Sequence, residues 1–279
     1  GGGPIEMILA FVAAGIGNLI GTKLIKHHFT LFLNIAVSIS ASCFIYAALL
    51  KIAEMAFNVP SIHEAGYICS MLFIIPGFPF ITSGIDLAKL DLRSGLERLA
   101  YAIIIVMVAT MFAWIMALLL RLQPMDFEDL NLTPVLHLIL RLIMSFFGVF
   151  GFSIMFNSPA SMAATAALIG AIANSLRLEL VDLTGMPAPA AAFAGALTAG
   201  LLASFIKENN GYPRISLTVP SIVIMVPGLY LYRAIYNFGI MALSDAVSWF
   251  ASAIMIIIAL PLGLIFARIL TDKTFRYCT

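Results

Sequence analysis

Two proline–glycine pairs sit inside long apolar runs: Pro76-Gly77 in IIPGFPFITSGID and Pro227-Gly228 in MVPGLYLYRAIYN. Proline removes a backbone donor and clashes with the preceding turn, while glycine relaxes φ, so each pair is expected to break a helix. In lipid, freed backbone groups survive only inside protein or beside a water-filled cavity. The chemistry open to such a break is anion recognition, because a half-helix start aims N–H groups and a positive dipole end at its ligand. A simple kink filled by neighbouring side chains is the alternative use.

Other residues could complete a site. Arg233 follows Gly228 by about one and a half turns, and Thr82 is its aligned position in the first run. A guanidinium suits a carboxylate; otherwise Arg233 snorkels to the outer interface among Tyr230, Tyr232 and Tyr236. Asp86 could hold an amine or a proton, or stand as a salt-bridged loop acid. His137 and Arg141 share a helix face by their spacing of four, and either couple to ions or snorkel. Asn18 and Asn174 lie at matching places and either bond across helices or line a cavity. The substrate-binding candidates are therefore Pro76, Gly77, Thr82, Asp86, Asn18, Asn174, Pro227, Gly228, Tyr232 and Arg233, with Asp86, Arg141 and His137 as coupling candidates. His63 and Glu64 fall in the loop before the third apolar segment and read as interfacial, as do Lys51 and Glu54.

The residue types exclude other chemistries. Cys43, Cys69 and Cys278 show no metal-ligand spacing, so neither a metal nor a disulfide framework is expected. No cofactor is expected. There is no HExxH or GxSxG sequence. An intramembrane aspartyl protease needs two facing acids, and the residue aligned with Asp86 is Asn237. An enzyme is not expected.

The elements that position these residues are membrane helices. Of 279 residues, 62% are hydrophobic and 10% charged, with mean hydropathy +1.07; a soluble domain carries about 25% charged residues. The net charge of +1 offers no surface for nucleic acid. Nine segments approach the roughly 20 residues a bilayer demands: about 4–22, 29–50, 66–85, 98–121, 134–156, 160–180, 187–206, 216–236 and 245–270. Polar stretches separate them, including Asp86 to Arg98 and, at the midpoint, Gln123 to Asn131 with Asp126, Glu128 and Asp129. Small residues crowd 188–204, which predicts tight helix packing. Lysine and arginine divide ten to four between alternate loops, with Arg141 inside a span. That asymmetry predicts a cytoplasmic C-terminus.

The segments also repeat. Pro76-Gly77 and Pro227-Gly228 are offset by 151 residues, and GIGNLI around Asn18 matches AIANSL around Asn174 at 156. Segments 1 to 4 thus repeat as 6 to 9, and a partner of segment 5 is expected to precede Gly1. Five spans per repeat would invert the second half, as in secondary transporters. The expected fold is an all-α integral membrane protein of about nine transmembrane helices, an inverted-topology repeat with two Pro-Gly broken helices. Residues 1–122 form the first repeat (four of five helices), 123–133 the connecting loop and 134–279 the second repeat.

The run PGFPFITSGIDLAKLDLRSGLERLAYA resembles the signature of the threonine/serine exporter family. FGFSIMFNSP and VPSIVIMVPGLYLYRAIYNF resemble that family's C-terminal module. The resemblance spans essentially the whole chain, with Pro76, Gly77, Asp86, Arg98, Pro227, Gly228 and Arg233 at the signature positions. It implies ten spans in family members, preceded by a soluble region. It also implies proton-driven export of small hydrophilic metabolites across the inner membrane, threonine and serine in some members. Related two-subunit systems imply a dicarboxylate exporter of succinate type as an alternative. A membrane subunit active only with a partner is a further alternative, left open by the segment expected to precede Gly1. The expected partners are the bilayer and a small amino acid or carboxylate, with a homo-oligomer open.

Overall fold

The computed structural model describes residues 3–57, 61–125 and 132–276. The acids Asp126, Glu128 and Asp129 and the thiol Cys278 lie outside them. Twelve α-helices follow one another among the described residues: α1 Pro4–Lys26, α2 Leu31–Phe57, α3 Tyr67–Met71, α4 Gly77–Ala88, α5 Leu92–Leu120, α6 Pro134–Met155, α7 Ala160–Thr184, α8 Ala188–Asn210, α9 Arg214–Val223, α10 Gly228–Gly239, α11 Leu243–Thr271 and α12 Lys273–Arg276. Short 3₁₀ turns at Ser61–Gly66 and Leu72–Ile74 flank α3. Among the described residues seven helices are long and apolar enough to cross a membrane; two bent pairs, counted as one span each, bring the total to the expected nine. The chain is an all-α, multi-pass membrane protein.

Local sequence sets the helix ends. Pro4 opens α1 in its first turn, with Glu6 there and Lys23 and Lys26 in the last turn, so charges of each sign meet the dipole end they favour. Gly185, at φ +67°, ends α7 in the left-handed region, with its N–H and that of Met186 returning to Val181 and Leu180. The polar stretch from Asp86 to Arg98 is not a long loop. α4 runs on to Ala88 and α5 starts at Leu92, because Asp91 accepts the Ser94 N–H at 3.3 Å and caps the new helix.

The chain divides into two compact units. The first joins Gly1–Pro76, Ile103–Asn131 and Gly228–Phe250; the second joins Gly77–Ala102, Leu132–Pro227 and Ala251–Thr279. These boundaries fall at both Pro-Gly pairs, so each broken span gives one half to each unit.

In the first unit α1 lies close on α2. A Cβ on Gly17 would run into Ser42 Oγ and stand 3.1 Å from the Ser38 carbonyl. The core of this unit contains Tyr46, Tyr67 and Tyr232, all fully buried. In the second unit, the small residues of 188–204 pack as the sequence predicts. Ala192, Ala196, Ala199 and Ala203 of α8 are buried. A Cβ on Gly263 of α11 would stand 2.6 Å from the Phe193 carbonyl. α6 is fastened to α7 by Arg141, which pairs with Glu179 at 2.8 Å and also with Asp182.

Candidate functional site

Both Pro-Gly pairs break their helices. The 3₁₀ turn after α3 ends at Ile74 and α4 starts at Gly77; α9 ends at Val223 and α10 starts at Gly228. Ile75 turns extended (ψ 121°) just before Pro76. Pro79 sits one turn into α4, so the backbone N–H groups opening that helix belong to Gly77, Phe78 and Phe80.

Each glycine is required by a close approach rather than by its φ. In the second unit a Cβ on Gly77 would lie 2.5 Å from Val223 Cγ2 and 3.2 Å from Val226 Cγ2, so the start of α4 rests on the end of α9. In the first unit a Cβ on Gly228 would lie 2.9 Å from Leu72 Cδ2 and 3.2 Å from Ile75 Cγ1, so the start of α10 rests on the end of the other broken helix. The two broken spans thus use one device: the start of each second half-helix packs on the end of the other span's first half-helix. Val223 is short and buried, whereas the Leu72 methyl ends a longer side chain. Gly77→Ala is therefore expected to cost about 1–3 kcal/mol and Gly228→Ala less, measured as melting temperatures of the purified variants. An equal or reversed order would contradict this packing.

Side chains also take up polar groups at the breaks. In the second unit the Arg177 guanidinium donates to the Met225 carbonyl at 3.4 Å, just past the end of α9. In the first unit Arg233 is only 8% exposed, so it does not snorkel. Its Nη2 donates to the Met125 carbonyl at 3.1 Å, and its guanidinium lies 4.8 Å from the Trp249 ring centroid. Trp249 meets Tyr230 edge-on. Tyr232 is fully buried, with its hydroxyl 2.6 Å from that of Tyr67.

The remaining candidates separate. Thr82 is buried, its hydroxyl donating to the Phe78 carbonyl at 3.0 Å. It lines an open cavity of about 400 Å3 in the second unit with Phe78, Pro79, Glu97, Arg98 and Tyr101. Asp86 stands beside this cavity, 2.8 Å from Arg98. Arg141 clamps α6 to α7, whereas the His137 side chain is exposed. Asn174 is buried and donates to Ser145 of α6 at 2.8 Å, but Asn18 is exposed on α1.

One pair escapes the sequence reading. Glu6 of α1 is buried, and its Oε1 lies 2.7 Å from His63 Nδ1; the two side chains are 5% and 13% exposed. His63 is not an interfacial loop residue: the Tyr46 hydroxyl donates to its carbonyl at 2.7 Å and holds the 3₁₀ turn against α2. Glu6 Oε2 is buried without a hydrogen-bond partner among the described residues. The available signal was an acid inside the first apolar segment, since ionisable groups in spans are costly and mark function.

Comparison with known families decides which proteins share this architecture. The family profile described as "Threonine/Serine exporter, ThrE" matches residues 141–270, and a second threonine/serine exporter profile matches residues 1–120. The chain belongs to the threonine/serine exporter family. No curated protein and no solved structure matched it. The exporter profiles cover both broken spans and almost every candidate residue named above. They describe membrane transporters of amino acids rather than enzymes.

Proposed function

We propose that this exporter is a secondary active, proton-coupled transporter of threonine- and serine-type amino acids. It lies in the cell inner membrane with its C-terminus in the cytoplasm, as its loop cations favour. We read its two halves, 1–122 and 134–279, as inverted repeats that each contribute one broken span.

The observation that carries the substrate assignment is the cavity at the start of α4. It is lined by one cation, Arg98, one acid, Glu97, and the Thr82 hydroxyl. A zwitterion needs one partner of each sign, and a hydroxy amino acid needs one more polar contact. The N–H groups that open α4 add donors for the carboxylate. Arg98 already holds Asp86, so substrate binding would exchange one carboxylate for another on the same guanidinium.

Coupling fits Glu6 and His63. A buried carboxylate is tolerable when paired or protonated, and this one has an imidazole on one oxygen and no hydrogen-bond partner on the other among the described residues.

The test is flux in proteoliposomes under an imposed pH gradient, with labelled threonine, serine and succinate. Threonine and serine are expected to move, and Arg98→Gln is expected to raise their KM about tenfold or more. Flux of succinate alone would overturn the amino-acid assignment in favour of a dicarboxylate exporter. No flux of any of the three by an intact protein would overturn transport by this chain acting alone.

A further inference from the structure

A second cavity, of about 610 Å3, lies wholly within the second unit, where the end of α4, the start of α9 and the end of α11 come together. Its lining carries four cations, Lys89, Arg214, Arg268 and Lys273, against one acid, Asp272, a balance of +3. In its lining the half-buried Arg214 guanidinium is held in place: Nη1 donates to Thr271 Oγ1 at 2.9 Å and Nη2 to the Gly200 carbonyl at 3.2 Å. Ser204 Oγ lies 3.1 Å from the same threonine hydroxyl. A guanidinium has five N–H donors, so this anchoring uses only part of its capacity. Arg268 is fixed by Asp272 at 3.4 Å and by the face of Phe275 at 4.1 Å.

The charge balance does not suit a zwitterionic amino acid, which carries one charge of each sign. The remaining walls are apolar, with Ile215 and Ile265 among them, and Ile215 is 47% exposed. Cations at the ends of spanning helices beside an outward-facing apolar wall are the layout that acidic lipid headgroups recognise. Guanidinium binds phosphate through paired donors, while lysines at the rim add point charge.

We propose that this cavity is a binding site for the headgroup of an anionic phospholipid. The phosphate meets the Arg214 guanidinium, while Lys89 and Lys273 close over it and the acyl chains run out along Ile215. The site is separate from the cavity at Thr82 and Arg98 and does not depend on what the protein exports.

Native mass spectrometry of the purified protein with phosphatidylglycerol, cardiolipin and phosphatidylcholine tests it. The two acidic lipids are expected to be retained in excess over phosphatidylcholine. Each neutralised cation should lower their affinity about fivefold, so Lys89→Gln with Lys273→Gln falls about 25-fold. Both lysines are exposed, so this double variant should fold; Arg214→Gln is the second probe. Equal retention of acidic and zwitterionic lipid, or an excess untouched by both variants, would overturn the proposal. So would displacement of the lipid by inorganic phosphate at constant ionic strength, which would identify the ligand as a soluble anion.

Discussion

Glu6→Gln is expected to abolish the response of export to an imposed pH gradient while leaving concentration-driven exchange of threonine intact. The amide keeps the size of the carboxylate and can still accept from His63, so packing around the side chain should hold. What is lost is the exchangeable proton. In the native protein the Glu6 carboxyl is almost enclosed, with His63 Nδ1 2.7 Å from one oxygen, and burial makes an unpaired charge there costly. Gain or loss of one proton therefore changes the electrostatics of the pair sharply and can bias a conformational equilibrium. The measurement is paired: labelled threonine flux with and without the gradient, and proton movement followed by a trapped pH dye. The gradient-driven component should fall more than about tenfold, because the charge change proposed to couple it is removed outright. A Glu6→Gln protein that keeps full gradient response would remove Glu6 from the coupling mechanism.

Gly170→Leu should prevent folding altogether. Gly170 lies in α7 where that helix passes α9, and a Cβ there would sit 2.7 Å from the Ser221 carbonyl oxygen, 3.1 Å from its Cα and 2.6 Å from Val149 Cγ2. Two of those atoms are backbone, so relief requires moving a helix rather than a rotamer. Ser221 is itself fixed, its hydroxyl donating to the Ala166 carbonyl at 2.9 Å across the same contact. Even Gly170→Ala should cost about 1–3 kcal/mol. Gly15 and Gly151, also helical, would have nothing within 4 Å of an added Cβ. Alanine at either should be neutral or stabilising by up to about 1 kcal/mol. Melting curves in detergent separate the cases. Gly170→Leu eluting as a folded, monodisperse protein would contradict the crossing of α7 and α9.

The contrast among these glycines shows where sequence reading stops. Gly15 and Gly170 both lie inside apolar helices and look alike in a hydropathy pattern. Only the position of a neighbouring helix makes one indispensable and the other replaceable. The same holds for Asn174, whose spacing does not tell that its side chain reaches Ser145 of α6.

Much else was legible in one dimension, for a physical reason. A bilayer forces each span to be long, apolar and internally hydrogen-bonded. Helix number and type, the breaks at Pro76-Gly77 and Pro227-Gly228, and the tight packing of the small residues in 188–204 follow from composition and spacing alone. So does the family, through the residues around those breaks. The partners of the few charges had to come from the tertiary structure. Charges in apolar spans are satisfied by groups distant in sequence: Glu6 by His63, Arg233 by the Met125 carbonyl, Arg141 by Glu179 and Asp182. Hydropathy dictates that such partners must exist. Which ones they are depends on how the helices cross, and that crossing is decided by where glycine and alanine let two backbones touch.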